Sequence, residues 1–410
     1  MAKDSAQKTT AVRPLKDVVA AAAPLFLRGE GALLFDGQGE AYLNLNELNA
    51  VLGENNPRYH EAMRSSLYAP VSAVGQNIYK QKLVSYLAET TRGDFSHVHF
   101  TSSGSEAVEW AVRLAQKITG RAETVCFWHS IHGRTALCAG MSGIPKRKVG
   151  YGPVPAGIVY APYPACGDCP LHLSHPGCGL ACLEFLKETV HYASAQDIAA
   201  VLIEPLLASN IHSVPEGYLR ALREWTREHG ILLILDEVQS GMGRTGDLYW
   251  YQREGVIPDI LLLGKALGNG QHIAAILLNQ VPEEKYIQAV AGGTGDYSTA
   301  CAAACAVFGE LLDHGLLQRV KETGAFLKEG LLDLQARFPT RIRQVRGRGL
   351  ALAVQFTDGA TADSVYRVLD KARMLYGRDK NALILKPPYS LTREQATGFL
   401  KALESALGQA

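Results

Sequence analysis

The sequence predicts an α/β protein with a large, mainly parallel sheet domain and a smaller α+β domain. Three observations carry this expectation. Short β-branched or leucine-rich runs alternate with helical patterns, as in an open sheet flanked by helices. Several of those runs are apolar at every position, as strands buried on both faces are. The alternation then changes character after about residue 310.

Taken from the amino end, residues 1–12 read as a flexible polar tail. Their start, MAKDSAQKTT, lacks the apolar stretch of a secretory signal. Residues 30–43 read as a hairpin inside a segment, 13–60, expected to join the smaller domain. The large domain is expected over 61–310, with strands at 97–100, 123–127, 200–203, 231–235, 260–263 and 273–277. Its clearest helix spans 106–118, where Ala107, Ala111, Leu114 and Ile118 share a face with Val108 and Ala115. Gly120 stops it. Residues 311–410 supply the rest of the smaller domain: a helix over 316–338, short runs at 342–345 and 350–355, a helix over 362–375, and a last one from Arg393. The smaller domain is thus built from both chain ends.

Composition narrows the function. The 410 residues are 47% hydrophobic, enough for a sizeable core. Lys plus Arg is 41 and Asp plus Glu is 40, so no positive field exists to gather nucleic acid or an anionic membrane. No apolar run approaches the ~20 residues that span a bilayer. Eight cysteines in so long a chain do not describe a secreted disulfide scaffold. A soluble, cytoplasmic protein is expected.

Gly241-Met-Gly-Arg-Thr-Gly246 is a literal G-x-G-x-x-G. A dinucleotide fingerprint needs its first glycine at the strand end and its last at a helix start. Here five residues separate Leu235 from Gly241, and Asp247-Leu-Tyr-Trp-Tyr is a poor helix start. The glycines read better as a tight loop under a site. The acid before them is the stronger clue. Asp236 ends a buried strand, at the carboxyl edge where open α/β sheets bind ligands. A second run, 259–264, delivers Lys265 to the same edge. Alone, such a Lys is a solvated surface group and such an Asp a turn cap. Together they suggest a lysine Schiff base and a carboxylate partner for a pyridinium nitrogen.

The stretch LLILDEVQSGMGRTGDLYWYQREGVIPDILLLGKALGNG resembles the signature of the class III (ornithine/4-aminobutyrate type) pyridoxal-phosphate-dependent aminotransferases, which have fold type I. TSSGSEAVEWAVRLAQKITG, HGRT at 132–135, GGTGDYSTACAAACAV, RGRGLALAV and LKPPYSLTREQ resemble further blocks in order, over roughly residues 30–408. The resemblance implies pyridoxal 5'-phosphate as cofactor and a small-molecule amine or amino acid as substrate. Lys265 resembles the lysine that forms the imine and then moves the substrate Cα proton. Asp236 resembles the carboxylate that keeps the ring nitrogen protonated. Gln239 matches the residue that reaches the ring hydroxyl, though a polar loop residue is the plainer reading. Val238 matches the ring-packing position. Ser103, Gly104 and Ser105 match a phosphate cradle at a helix N-terminus, while Ser103 and Glu106 also have capping-box spacing. Thr294 matches a threonine that reaches the phosphate of the partner subunit, which implies a homodimer with shared active sites.

Three positions depart from the family pattern. The aromatic residue before His132 is Ile131, which makes ring packing aliphatic. The switch glutamate downstream of Glu204-Pro205 is Ser209. The arginine that would clamp an α-carboxylate is Ile384. Both halves of one ion pair are absent, so the usual glutamate clamp is not expected. Lys386 is the alternative anion contact, on the same strand face as Ile384; a solvated Lys386 is the plainer reading. Transamination is expected. A racemase, aminomutase or carbon–carbon bond-forming activity is the alternative.

CGDCPLHLSHPGCGLAC places Cys166, Cys169, Cys178 and Cys182 within one short segment, the first pair in C-x-x-C spacing. Zinc or iron–sulfur ligation and plain structural thiols, free or paired, both remain open. Cys301 and Cys305 sit in an alanine-rich helix and read as core.

Overall fold

The computed structural model describes residues 24–70, 77–150, 152, 154–280, 282–290 and 295–409. The expected tail over 1–12 and the expected phosphate contact Thr294 lie outside the described residues.

The chain opens with three antiparallel strands, β1 (Phe26–Glu30), β2 (Leu33–Asp36) and β3 (Ala41–Asn44). The large sheet follows: β4 (His97–Thr101), β5 (Glu123–Phe127), β6 (Ile158–Ala161), β7 (Ile198–Ile203), β8 (Leu232–Asp236), β9 (Ile260–Leu263) and β10 (Ala274–Leu278). Its seven strands run in the order β4-β10-β9-β8-β7-β5-β6. Neighbours from β9 to β6 are parallel, while β10 is antiparallel to both β4 and β9. Every residue of β7, β9 and β10 is buried, which explains their unbroken apolar runs. β6 was not among the expected strands. Its four residues Ile-Val-Tyr-Ala are too few to show a period.

The topology decides where chemistry can occur. Because β10 reverses direction between β4 and β9, the carboxyl ends of β4, β5, β7, β8 and β9 share one edge with the amino end of β10. The loops that meet at this edge come from six separate parts of the chain.

The helix Gly104–Thr119 starts at Ser103, whose side chain accepts from Glu106 N. It buries Ala107, Val108, Ala111, Leu114 and Ala115 and ends on Gly120 in the left-handed region (φ 69°). The expected capping box closes one residue early: the Glu106 carboxylate takes the amide and hydroxyl of Ser102, at 2.9 and 2.7 Å. Cys301 and Cys305 are buried in the helix Ser298–Leu312, as expected of core thiols.

The carboxyl-terminal part forms the antiparallel sheet β11 (Ile342–Arg348), β12 (Ala351–Phe356), β15 (Ala382–Leu385) and β14 (Gly377–Asp379). The remaining strand, β13 (Met374–Leu375), lies parallel against β3 and ties this part to the amino-terminal hairpin. The helix expected over 362–375 is instead Gly359–Lys371. It starts early because the Asp358 side chain caps it at Thr361 N, 2.8 Å away. It stops early because Arg373 adopts a left-handed φ of 55°, which turns the chain into β13. Among the described residues no single helix is long and apolar enough to cross a membrane.

Candidate active site

A cavity of ≈620 Å³ opens at the shared edge of the large sheet. Asp236, the last residue of β8, reaches it with its carboxylate held from two sides. Oδ2 lies 2.8 Å from His132 Nδ1, and Oδ1 accepts from the amide of Val238 at 3.1 Å. Both side chains of the Asp236–His132 pair are buried. His132 comes from the loop after β5, so the pair joins the ends of two strands that flank β7.

Lys265 follows β9 with a left-handed φ of 43°, uncommon for a lysine. Strain of this kind persists only where surroundings hold it, and it clusters at working sites. Burial pulls the Lys265 ammonium below its ordinary range; the nearby Arg244 and Arg134 guanidiniums add to this, while Asp236 and Glu204 oppose it. A lysine so placed holds a neutral, nucleophilic nitrogen at lower pH than a solvated one.

Ser103, Gly104 and Ser105 line the cavity at the N-terminus of the helix Gly104–Thr119. A Cβ on Gly104 would lie 3.1 Å from Val238 Cγ1, so the residue must be small for Val238 to face the cavity beside it. The Ser105 hydroxyl also accepts from the amide of Arg134 at 3.1 Å.

Glu204 follows β7 and is 2% exposed. Its two oxygens accept from the amides of Ile131 (2.7 Å) and Ala208 (2.8 Å). Burial pushes its carboxyl up to about 7. Ser209 lines the cavity and donates to the carbonyl of His129 at 2.8 Å. Lys386 is not solvated. It is 6% exposed, lines the same cavity and donates to the carbonyl of Ala208 at 3.0 Å. Burial, then the cations of Lys265 and Arg244, bring it down to about 7. Ile384, expected beside it, packs in the apolar core and does not line the cavity, because every residue of β15 is buried between the elements that cover this sheet.

The cavity also takes residues that sequence reasoning passed over: Leu48 and Asn49 from the amino-terminal segment, Arg134, Arg147, Gln271 and His272. Arg134 lay inside the HGRT block. Nothing local marks the others, which arrive by tertiary folding. The Gly241–Gly246 loop turns under Asp236 through left-handed Gly243 and Gly246.

The residues fit pyridoxal phosphate. Two buried polar atoms of residues that line the cavity, Gln239 Oε1 and His132 Nε2, have no hydrogen-bond partner among the described residues, and a buried orphan acceptor calls for a donor. The helix N-terminus offers amides and a favourable dipole to a phosphate. The Asp236 carboxylate suits a protonated ring nitrogen.

The cysteine-rich loop lies elsewhere. Cys166, Cys169, Cys178 and Cys182 line a separate small pocket together with His175. All eight cysteines are free thiols. Among the described residues no three His, Cys, Asp or Glu side chains are placed to hold a metal ion.

The family described as class-III aminotransferase matches residues 19–407. An acetylornithine aminotransferase from Myxococcus xanthus is 33% identical over 377 residues, spanning 89% of this chain and 88% of that protein. One from Bacillus subtilis (strain 168) is 31% identical, spanning 93% and 94%. Among solved structures, a PLP-bound amine transaminase from an uncultivated Pseudomonas species superposes with a TM-score of 0.86 at 26% identity, over 100% of this chain and 99% of that one. An (S)-enantioselective omega-transaminase from Thermomicrobium roseum gives 0.85 at 25% identity, over 98% and 96%.

Proposed function

The chain belongs to the class-III aminotransferases, enzymes of fold type I that depend on pyridoxal 5'-phosphate, and on that premise we propose that it transaminates an amine or amino acid bearing an anionic group that Lys386 receives. The observation that carries this reading is the convergence of Lys265, Asp236 and Lys386 on one cavity.

Bound there, the cofactor supplies an aldehyde carbon for the amino group and a ring that takes up the electron pair released at the substrate carbon. Lys265 Nζ, whose ammonium burial holds below its ordinary range, would hold the cofactor through its aldehyde, and the same amine would accept the proton leaving the substrate Cα and hand it back. Asp236 holds a proton on the ring nitrogen, and His132 fixes the orientation of the carboxylate. Gln239 Oε1 accepts from the ring hydroxyl, and Val238 and Ile131 pack the ring. Ser103, Gly104 and Ser105 hold the phosphate. Glu204 spaces the ring-side loop at Ile131 from the Lys386 anchor at Ala208, with Ser209 beside it.

The reading extends to a cytoplasmic homodimer, in which Thr294 of each copy reaches the phosphate cradle of the other. Eight free thiols suit a reducing compartment. The dimer rests on the resemblance of the segment around Thr294 to its family counterpart.

The relatives named acetylornithine aminotransferases suggest an ω-amino substrate with a distant carboxylate. Ser209 and Ile384 remove the usual glutamate clamp. The test is a titration of holoenzyme with β-alanine, n-propylamine and L-glutamate while following the visible cofactor absorbance. Bleaching by β-alanine at far lower concentration than by propylamine is expected, with a weak response to glutamate. Equal responses to the two amines overturn the Lys386 assignment. Strong bleaching by glutamate overturns the reading of Ser209 and Ile384. A band that no amine alters overturns transamination and leaves the racemase, aminomutase or carbon–carbon bond-forming reading.

A further inference from the structure

A second cavity, of ≈460 Å³, lies away from the site described above. Its walls come from the loop after β7, the helices Tyr218–Glu228, Trp250–Glu254 and Leu316–Arg337, and the carboxyl end of β11. Four cations line it: Arg220, Arg253, Lys328 and Arg348. Only two carboxylates, Glu216 and Glu254, line it with them.

The nearby acid is oversubscribed. Asp247 is shared by Arg348, Arg253 and Lys321, at 3.2, 3.7 and 3.8 Å. Among the described residues Lys328 has only the carbonyl of Gly347 within hydrogen-bond reach, at 3.0 Å. Arg220 makes no ion pair within 4 Å among the described residues. Two buried donors also lack acceptors among the described residues. They are Nε of Arg348 and the indole Nε1 of Trp250, a residue 4% exposed that lines the cavity. The Lys328 ammonium is held below its ordinary range by burial first and by the Arg348 and Arg253 guanidiniums second. Guanidinium forks pair best with phosphate or carboxylate oxygens. At ~30 Å³ per water the space holds more than a single phosphate ion.

We propose that this cavity is a binding site for a small phosphorylated polyanion, held by Arg220, Arg253, Lys328 and Arg348. The site is distinct from the proposed phosphate cradle at Ser103–Ser105, and it does not depend on the reading of Lys386.

Isothermal titration tests it, using holoenzyme saturated with pyridoxal phosphate so that the cofactor cradle is already filled. The probes are inorganic pyrophosphate and glycerol 3-phosphate, without divalent cations. Saturable one-site binding of either probe, weakening with salt, is expected. Arg220→Gln and Arg348→Gln should each weaken it about tenfold, the range of one charge-assisted hydrogen bond. Arg220 is exposed and unpaired, so its variant should fold. Glu216→Gln should tighten binding, a gain that general damage to the fold does not produce. No saturable binding of either probe overturns the proposal. Binding indifferent to both arginine variants places the anion elsewhere and overturns it equally.

Discussion

The ammonium of Lys386 donates to the main-chain carbonyl of Ala208 at 3.0 Å, and this carbonyl is its one hydrogen-bond acceptor among the described residues. A buried lysine with so little compensation is poised for an incoming anion. Its ionisation near pH 7 gives the prediction a sign. Below that pH the free enzyme carries the ammonium. Above it, a carboxylate must bind together with a proton. KM for an anionic donor should therefore be flat below about pH 6 and rise about tenfold per unit above 7. Lys386→Met should raise that KM tenfold to a thousandfold, the usual cost of truncating a buried charge pair, and spare a neutral amine. Lys386→Arg should keep KM low and erase the break near pH 7, since the guanidinium stays charged. A KM profile unchanged in the methionine variant would falsify the assignment.

The Asp236–His132 pair makes a separate prediction. Asp236→Asn keeps the shape but removes the charge proposed to hold a ring proton. The expected result is a kcat lower by about two to four orders of magnitude, the range of general acid–base and electron-sink contributions. Cofactor should remain bound, and its visible absorbance should shift. His132→Phe, acting only through orientation of the carboxylate, should show the same spectral shift with a smaller loss of rate. If Asp236→Asn leaves kcat within threefold, Asp236 does not have this role.

How far the sequence foretold this site depends on the range of the interactions. Asp236 and Lys265 were legible because one closes and the other follows a short apolar run. Gly104 was legible because a helix start leaves a local capping signature. Lys386 was not. Its solvation looked the simpler reading because nothing within ten residues of it shows that Ala208 and Lys265 come to lie beside it. The reversal of β10 between β4 and β9 was equally hidden, since an apolar run carries no direction. The helix expected to reach residue 375 failed for an equally distant reason. Met374 and Leu375 suit a helix, but their pairing with Leu43 and Asn44 holds them extended.

Arg244 shows what a glycine motif conceals. It is 1% exposed, and its guanidinium donates to the carbonyls of Glu47 (2.7 Å), Leu350 (3.2 Å) and Pro387 (2.6 Å). Three distant segments are thus held by one side chain, and Pro387 adjoins Lys386. Arg244→Met leaves those carbonyls without a donor. It should cost about 3–5 kcal/mol of stability, on the scale of breaking a buried charged hydrogen-bond set. KM for an anionic donor should rise with it as the segment that carries Lys386 loses its support at Pro387. The checks are a denaturant titration and steady-state kinetics. A variant within ~1 kcal/mol of the parent would remove Arg244 as the junction.

Glu237 carries a prediction about pH and stability. Its carboxylate is 1% exposed and accepts from the amides of Trp250 (2.6 Å) and Tyr251 (2.8 Å) at the start of a short helix. Burial outweighs these bonds and raises its pKa to about 7. In the unfolded chain the group titrates near its ordinary value of 4.5. A raised acid favours the folded state while protonated. Its contribution is complete below about pH 4.5 and is lost as pH rises through about 7, by up to ~3 kcal/mol at 1.36 kcal/mol per unit. Glu237→Gln cannot ionise, and its amide nitrogen cannot accept from either main-chain N–H. The variant should be clearly less stable than the parent at pH 5. That deficit should shrink, or reverse, at pH 8. Thermal midpoints of the two proteins at both pH values, with excess cofactor, isolate this difference from all other titrations. A deficit of the same size at both pH values would show that Glu237 is ionised throughout, with its two amide bonds outweighing burial.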